Sequence, residues 1–438
     1  MLLNAADKAL WRLALPMIFS NITVPLLGLV DTAVIGHLDS PVYLGGVAVG
    51  ATATSFLFML LLFLRMSTTG LTAQAWGAKD PQRLARALVQ PLALALGAGV
   101  LIILLRLPLI DLALHIVGGS EAVLEQARRF LEIRWLSAPA SLANLVLLGW
   151  LLGVQYARAP VILLVVGNLL NIVLDLWLVM GLRMNVQGAA LATVTAEYAT
   201  LIIGLLMAKR VLTLRGVSLA MLKNAWRGDL RRLLALNRDI MLRSLLLQLC
   251  FGALTVFGAC LGSDIVAVNA VLMTMLTFTA YALDGFAYAV EAHSGQAYGA
   301  RDGSQLLEVW RAACRQSGMV ALAFALIYSL AGQYIIALLT SLPSLQQLAD
   351  RYLIWQTILP VVGVWCYLLD GMFIGATRGA EMRNSMAVAA AGFAVTLLTL
   401  PVLGNHGLWL ALAVFLALRG LSLALIWRRH WRRGTWFS

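Results

Sequence analysis

Charged residues are scarce in this sequence. They make up 12% of its 438 residues, while 61% are hydrophobic, and an ordinary soluble domain is about 25% charged. A soluble core of this size could not bury so much apolar surface, so the composition excludes a soluble protein and indicates that lipid is the solvent. The net charge of +12 is carried by Lys and Arg in the loops and not by a hydrophilic basic domain. A nucleic-acid partner is therefore not expected.

Motifs for catalysis and for metal binding are also lacking. None of the four lysines is followed by Ser or Thr, which excludes a Walker A loop, and there is no GxSxG or protein-kinase signature. The five histidines have no ligand spacing and the four cysteines form no CxxC pair, so neither a zinc site nor a disulfide framework is predicted. We expect a protein that is not an enzyme and has no cofactor or metal. Its energy source is then an ion gradient, a substrate gradient or a partner ATPase.

Long apolar runs are what the sequence does contain. Twelve stretches have the length of about 20 residues or more that crosses a bilayer. They are continuously apolar and lack the period-two pattern of an outer-membrane barrel, so the sequence predicts an all-α polytopic membrane protein with twelve transmembrane helices. The predicted spans are 13–36, 43–66, 87–113, 130–153, 160–181, 187–208, 240–262, 266–290, 313–340, 353–375, 384–404 and 408–427.

Lys and Arg are divided unequally between the two sides of these spans. If the N-terminus is cytoplasmic, six of the 32 lie on the outer side, and these are Arg106, Arg128, Arg129, Arg134, Arg183 and Arg351. Basic loops stay in the cytoplasm, so an inner (cytoplasmic) membrane protein with both termini inside is predicted. The longest loop, 209–239, is strongly basic and separates an N-terminal six-helix lobe, 1–208, from a C-terminal six-helix lobe, 240–438.

The two halves repeat each other at a constant offset. The segment GLTAQAWGAKD at 70–80 aligns with AHSGQAYGARD at 292–302, an offset of 222 residues, and the same offset pairs Gly149 with Gly371. Six spans separate the repeats, so both halves enter the membrane in the same sense. We therefore expect two lobes related by a pseudo-two-fold axis along the membrane normal, with a substrate pathway between them.

Polar residues within the apolar runs are the candidate functional groups, because a carboxylate near mid-bilayer costs about 2.5–3.5 kcal/mol. Asp31 on the first span and Asp175 on the fifth stand out. Asn168, Asn171 and Asp175 have the spacing i, i+3, i+7 and share a helix face, and Thr193 on the sixth span reaches a similar depth. Such a cluster suits a proton or a small cation. The alternative is an interhelical polar clamp without a transport role.

Pro25 lies six residues before Asp31 on the first span. Inside a helix, proline removes a backbone hydrogen bond and promotes a kink. One interpretation is a gate in which helix 1 bends about Pro25 under the control of Asp31 protonation. The alternative is a static kink.

The second half contains different acids. Asp284 and Glu291 lie seven residues apart on the eighth span, and Asp370 lies on the tenth. They could attract a cationic substrate or bind a second ion. Pairing with an arginine such as Arg65 or Arg243 is the alternative interpretation.

Four segments resemble the multidrug and toxic compound extrusion (MATE) family, most closely its DNA-damage-inducible F branch. They are LALPMIFSN…GLVDTAVIGHL at 14–38, the duplicated QAWGAKD and QAYGARD, the segment GWLLGVQYARAP, and the pattern NxxNxxxD of the fifth span. The resemblance covers essentially the whole chain. It implies a twelve-helix, two-lobe antiporter that expels cationic, often aromatic compounds in exchange for protons or sodium.

The resemblance also assigns roles to single residues. It implies an ion site of the proton-coupled branch in the N-terminal lobe, made of Asp31, Asn171, Asp175, Thr193 and Asn144. Asp370 resembles an acid of the sodium-coupled branch, but the usual glutamate partner on helix 7 is absent and Gln248 is nearest. The missing glutamate favours protons over sodium as the coupling ion.

We therefore expect a secondary antiporter that exports small organic compounds, cationic or amphipathic, in exchange for protons. Its partners would be this small-molecule substrate and the membrane lipids, and the chain would act as a monomer. An alternative is a flippase for lipids or lipid-linked headgroups with a related two-lobe fold, which predicts arginines at mid-membrane. A structural or sensory membrane protein without transport is a third possibility, against which the intramembrane acids argue.

Overall fold

Backbone polar groups in lipid must be satisfied within the chain, and long helices do this. The structure is a computed structural model that describes residues 3–36, 41–228 and 230–438; the side chains of residues 24–33, 36 and 219 lie outside the description. These residues form helices and no strand. The helices are α1 (Ala5–Gly36), α2 (Pro41–Leu60), α3 (Phe63–Gly77), α4 (Pro81–Leu104), α5 (Arg106–Val117), α6 (Glu121–Arg134), α7 (Ala138–Gly153), α8 (Ala159–Asp175), α9 (Asn185–Leu214), α10 (Leu219–Asn224), α11 (Leu230–Leu261), α12 (Ser263–Ala300), α13 (Gly303–Leu339), α14 (Pro343–Gly375), α15 (Gly379–Thr396), α16 (Leu400–Leu403) and α17 (Asn405–Arg433).

Eleven helical segments among the described residues are long and apolar enough to cross a membrane. In addition, α1 has 32 residues, more than the roughly 20 that a bilayer requires. Two predicted spans are interrupted in the structure. The span 43–66 covers α2 and the start of α3, and the span 87–113 is divided into α4 and α5 at Leu105. Helices such as α13 also begin about ten residues before the predicted run, because their polar first turns extend beyond the apolar segment.

The chain divides into two compact units. One consists of Phe19–Leu233, and the other consists of Met1–Ile18 together with Leu234–Ser438. Residues 1–18, which the sequence analysis assigns to the first lobe, are thus part of the second unit. In that unit the Trp11 indole donates a hydrogen bond to Gln316 at 2.9 Å and packs edge-on against Phe286.

Buried tryptophans fix the helix packing inside each unit. In the first unit, the Trp135 indole donates to the Thr54 hydroxyl at 2.9 Å, and the Trp150 indole donates to the Leu84 carbonyl at 3.1 Å. In the second unit, the Trp409 indole donates to the Asn269 side chain at 3.0 Å. Each indole therefore buries a large apolar surface and still satisfies its N–H group.

Helix contacts confirm the repeat that the sequence predicts. A Cβ atom on Gly149 would lie 2.6 Å from the carbonyl oxygen of Arg65, and one on Gly371 would lie 2.7 Å from that of Ala287. Arg65 and Ala287 are themselves 222 residues apart. A second matching set is Gly153 with Thr72 and Gly375 with Ser294. The aligned glycines therefore allow the same close approach of two helices in each half.

The duplicated QAWGAKD and QAYGARD segments form matching turns. Lys79 and Arg301 both have left-handed backbone conformations, with φ of 54° and 53°. The next residues, Asp80 and Asp302, accept hydrogen bonds from backbone N–H groups in the first turns of α4 and α13. The most recognisable motif of the sequence is thus a helix cap and a tight turn.

Candidate functional site

Helix α8 directs its polar residues inward and its apolar residues outward. Asn171 is 2% exposed and Asp175 is 1% exposed, whereas Leu169 and Val173 are more than half exposed. The face that carries the amide and the carboxyl is therefore enclosed by other helices, as expected for polar groups within a membrane span.

Asn171 is joined to Thr193 on the neighbouring helix α9. The Asn171 amide donates to the Thr193 hydroxyl at 3.5 Å, and this hydroxyl donates to the Ala189 carbonyl at 3.2 Å. The side-chain oxygen of Asn171 is buried and has no hydrogen-bond partner among the described residues. The structure therefore brings these two predicted site residues together, with an acceptor oxygen beside them. Asn168 is half-buried and lies one turn earlier on α8.

Asp175 is the last residue of α8 and directly precedes a π-helical turn, Leu176–Gly181. Single wide turns of this kind occur frequently at functional sites. The other acid of the predicted pair, Asp31, and the proposed hinge, Pro25, are both on α1, but their side chains lie outside the described residues. The proximity of Asp31 to Asp175 stays a prediction.

Asn144 on α7 contacts α9 at a different point. Its amide donates to the backbone carbonyl of Glu197 at 3.1 Å, one turn beyond Thr193. Asn144 therefore ties α7 to α9 beside the Asn171–Thr193 contact.

Glu197 is a partly buried acid that the sequence analysis did not single out. Its carboxylate pairs with Arg134 at 3.0 Å and accepts a hydrogen bond from the Ser141 hydroxyl. Arg134 also donates a hydrogen bond to the Ser137 hydroxyl. Glu197 lies twelve residues after Asn185, or about 18 Å along α9 at 1.5 Å per residue. The rule that selected Asp31 and Asp175, an acid inside an apolar run, could have found it.

Asp370 on α14 lies between two arginines. One of its carboxylate oxygens accepts from Arg243 on α11 at 2.6 Å and also from Arg419 on α17. The three residues are 7%, 6% and 4% exposed. The Nε atom of each arginine is buried without a hydrogen-bond partner among the described residues. The sequence left two interpretations for Asp370, a site for a cationic substrate or second ion and a pair with an arginine, and the structure has the pair. With two arginines and one carboxylate, the cluster carries one excess positive charge.

Asp284 and Glu291 lie two turns apart on α12. Glu291 is 1% exposed, and its backbone carbonyl lies next to Gly375 of α14. Asp284 is within electrostatic range of Tyr367 on α14, as are Asp370 and Arg419. Asp284 therefore belongs to the surroundings of the Asp370 cluster.

Comparison with known proteins identifies relatives of this chain. The family model MatE matches residues 16–177 and 240–403, one segment in each half. The chain is 87% identical over 436 residues to the DNA damage-inducible protein F of Escherichia coli (strain K12), covering 100% of this chain and 95% of that protein. It is 23% identical over 431 residues to the probable multidrug resistance protein NorM of Acinetobacter baylyi, covering 96% and 94%.

Solved structures share the fold. The chain superimposes on a MATE protein in the straight conformation with a TM-score of 0.85, at 23% sequence identity and covering 98% of this chain and 96% of that one. The likeness shows the twelve-helix, two-lobe fold of these proteins, as the sequence predicts.

Proposed function

Because the chain belongs to the MatE family of membrane transporters, we propose that it is a secondary antiporter. It exports small organic compounds, cationic or amphipathic, in exchange for protons. It acts as a monomer without a cofactor in a bacterial inner membrane, with both termini in the cytoplasm. The name of the Acinetobacter baylyi relative, a probable multidrug resistance protein, supports small organic compounds as substrates.

The buried carboxyl of Asp175 carries this proposal. It is enclosed within a membrane-spanning helix pair, one turn from the Asn171–Thr193 contact. A carboxyl in this position can take up a proton from one side of the membrane and release it to the other, and each step changes the local charge. Asp31 on α1 is the proposed second acid. Bending of α1 about Pro25 is the proposed response to its protonation.

The Asp370 cluster supports protons over sodium as the coupling ion. Two guanidinium groups already neutralise this carboxylate, and sodium would have to displace them. A buried carboxylate that is paired in this way is stabilised by its partners and does not require a metal ion.

Efflux of a fluorescent organic cation tests the proposal. In cells that lack other exporters, we expect Asp175→Asn and Asp31→Asn to slow efflux driven by a pH gradient by about tenfold or more, because a coupling free energy of 1–3 kcal/mol is lost. Asn keeps the size of the side chain but cannot carry a proton. Pro25→Ala in the same assay tests the hinge.

Asp111→Asn is the matched control for this experiment. Asp111 lies in the same unit, and its side chain is 60% exposed and paired with Arg128, so efflux should be unchanged. Undiminished efflux by both Asp175→Asn and Asp31→Asn would contradict the proposed ion site. Efflux that follows an imposed sodium gradient, with no response to pH, would contradict proton coupling.

A flippase for lipids or lipid-linked headgroups is a second candidate, and buried arginines favour it. Arg65, Arg243 and Arg419 are each 6% exposed or less, although an arginine in a membrane span is costly. Reconstitution in vesicles with a fluorescently labelled phospholipid separates the two functions. Label movement between leaflets that depends on Arg243 and Arg419, with no efflux of organic cations, would favour the flippase.

A further inference from the structure

A cleft lined by arginines lies where the first turn of α11 meets α4. It encloses about 70 Å³, and its lining includes Arg83, Arg86, Arg232, Gln90, Leu71 and Pro91. All of these residues belong to the unit Phe19–Leu233. We call it the arginine cleft. It is separate from the Asn171–Asp175 site and from the Asp370 cluster.

Arg83 lies within electrostatic range of the other two guanidinium groups of the cleft. Arg83 is repelled by both Arg232 and Arg86 and attracted by one acid, Asp80. The Nε atom of Arg86 is buried and has no hydrogen-bond partner among the described residues. Like charges gathered in a partly enclosed space create a positive potential that attracts anions. The cleft is therefore suited to an anionic group.

The loop before α11 closes one side of the arginine cleft. Gln90 donates a hydrogen bond to the backbone carbonyl of Trp226 at 3.2 Å. Gly228 has φ of 143°, and a Cβ atom there would lie 2.6 Å from Nε of Arg86. The backbone thus approaches Arg86 at a point where only glycine fits. Trp226 itself is 61% exposed, as is common for tryptophan at a membrane–water interface.

The walls of the cleft are amphipathic. Leu71 and Pro91 provide an apolar surface, and each belongs to a helical segment that is long and apolar enough to cross a membrane. A free phosphate ion would make no favourable contact with this apolar surface. A phospholipid, in contrast, binds cationic groups through its headgroup and apolar surface through its acyl chains. Basic pockets between membrane helices bind anionic headgroups in this manner.

We propose that the arginine cleft binds the phosphate group of an anionic phospholipid. Arg83 and Arg86 donate hydrogen bonds to the phosphate oxygens, and an acyl chain lies along Leu71 and Pro91. The bound lipid neutralises the repulsion between the arginines and holds the loop at 226–228 against α4. This site is independent of the proposed antiport, because none of its residues belongs to the ion site.

Native mass spectrometry of the full-length, delipidated protein tests the proposal. We expect one phosphatidylglycerol molecule to bind at least about tenfold more tightly than phosphatidylcholine. Both lipids offer a phosphate to the arginines, but the choline ammonium of phosphatidylcholine cancels its negative charge and is repelled by the guanidinium groups. The Arg83→Gln and Arg86→Gln double variant should lower the affinity for phosphatidylglycerol about tenfold. The matched control is Arg210→Gln with Arg231→Gln, which removes two exposed arginines of the same region and should leave the affinity unchanged.

Three results would overturn the proposal. They are equal affinity of the wild type for the two lipids, equal loss in the double variant and its control, and full displacement of phosphatidylglycerol by millimolar inorganic phosphate, which would assign the cleft to the free ion. The wild-type comparison does not depend on the folding of any variant. Arg83→Lys with Arg86→Lys adds a second check, since it keeps the charge and should keep the preference for phosphatidylglycerol.

Discussion

Replacing Asp370 with Ala is expected to lower the free energy of unfolding by about 3–5 kcal/mol, since removal of one partner from a buried ion pair leaves an uncompensated charge. Here two charges are affected. Arg243 and Arg419 both pair with the same carboxylate, and their side chains are 7% and 5% exposed. Thermal or denaturant unfolding of the purified protein in detergent measures the change.

Asp350→Ala is the matched control for this variant. It makes the same substitution on the same helix, α14, but Asp350 is exposed and accepts from Gln333, so its effect should stay within about 0.5 kcal/mol. Replacing all three cluster members, by Asp370→Leu with Arg243→Met and Arg419→Met, should recover most of the lost stability, because no buried charge remains. Equal stability of Asp370→Ala and Asp350→Ala would contradict this account of the cluster.

Substitutions at two glycines of α4 should change stability in opposite directions. A Cβ atom on Gly99 would lie 2.3 Å from Cα and 2.4 Å from N of Pro139. These are backbone atoms of α7 that cannot rotate away, so α4 and α7 must separate. We expect Gly99→Ala to destabilise the protein by about 1–3 kcal/mol, and Gly99→Val by more.

Gly97→Ala supplies the control on the same helix. Apart from the backbone of its own helix turn, no atom lies within 4 Å of a Cβ placed there. The substitution should therefore stabilise the protein by about 0.5–1 kcal/mol through the helix preference of alanine. Unfolding temperatures of the two variants, measured in the same detergent, test whether the helix contact at Gly99 causes the difference. A loss of stability at Gly97 as large as that at Gly99 would show that helix contact is not the cause.

Much of the fold could be predicted because lipid imposes simple rules on a sequence. Continuous apolar runs must be helices there, and the offset of 222 residues required equivalent contacts in both halves, which Gly149 and Gly371 provide. Helix ends were predicted less well. Hydropathy changes where a helix leaves the lipid, but α13 continues into the polar segment that starts at Gly303. The break at Leu105 has a signal in Arg106 and Pro108, because proline is favoured in the first turn of a new helix, but the search for apolar runs passed over it.

The candidate site could be predicted in part. The spacing of Asn171 and Asp175 placed both on one face, and the contact between Asn171 and Thr193 agrees with their expected similar depth. Pairing with Arg243 was one of the interpretations open for Asp370, and the structure has this pair. The other partners could not be predicted, because they depend on how helices that are distant in sequence pack. Arg134 and Arg419, to which the sequence analysis gave no partner, are largely enclosed by helices and pair with acids.

The π-helical turn at Leu176–Gly181 has a consequence for how related sequences align with this one. Inserting a single residue into an α-helix produces a wide turn of this kind. A homologue one residue shorter in this segment can therefore keep the same site by returning to ordinary α geometry. A one-residue gap between Asn171 and Asp175 would instead rotate one of them by about 100° relative to the other, so a correct alignment places the gap after the acid and never before it.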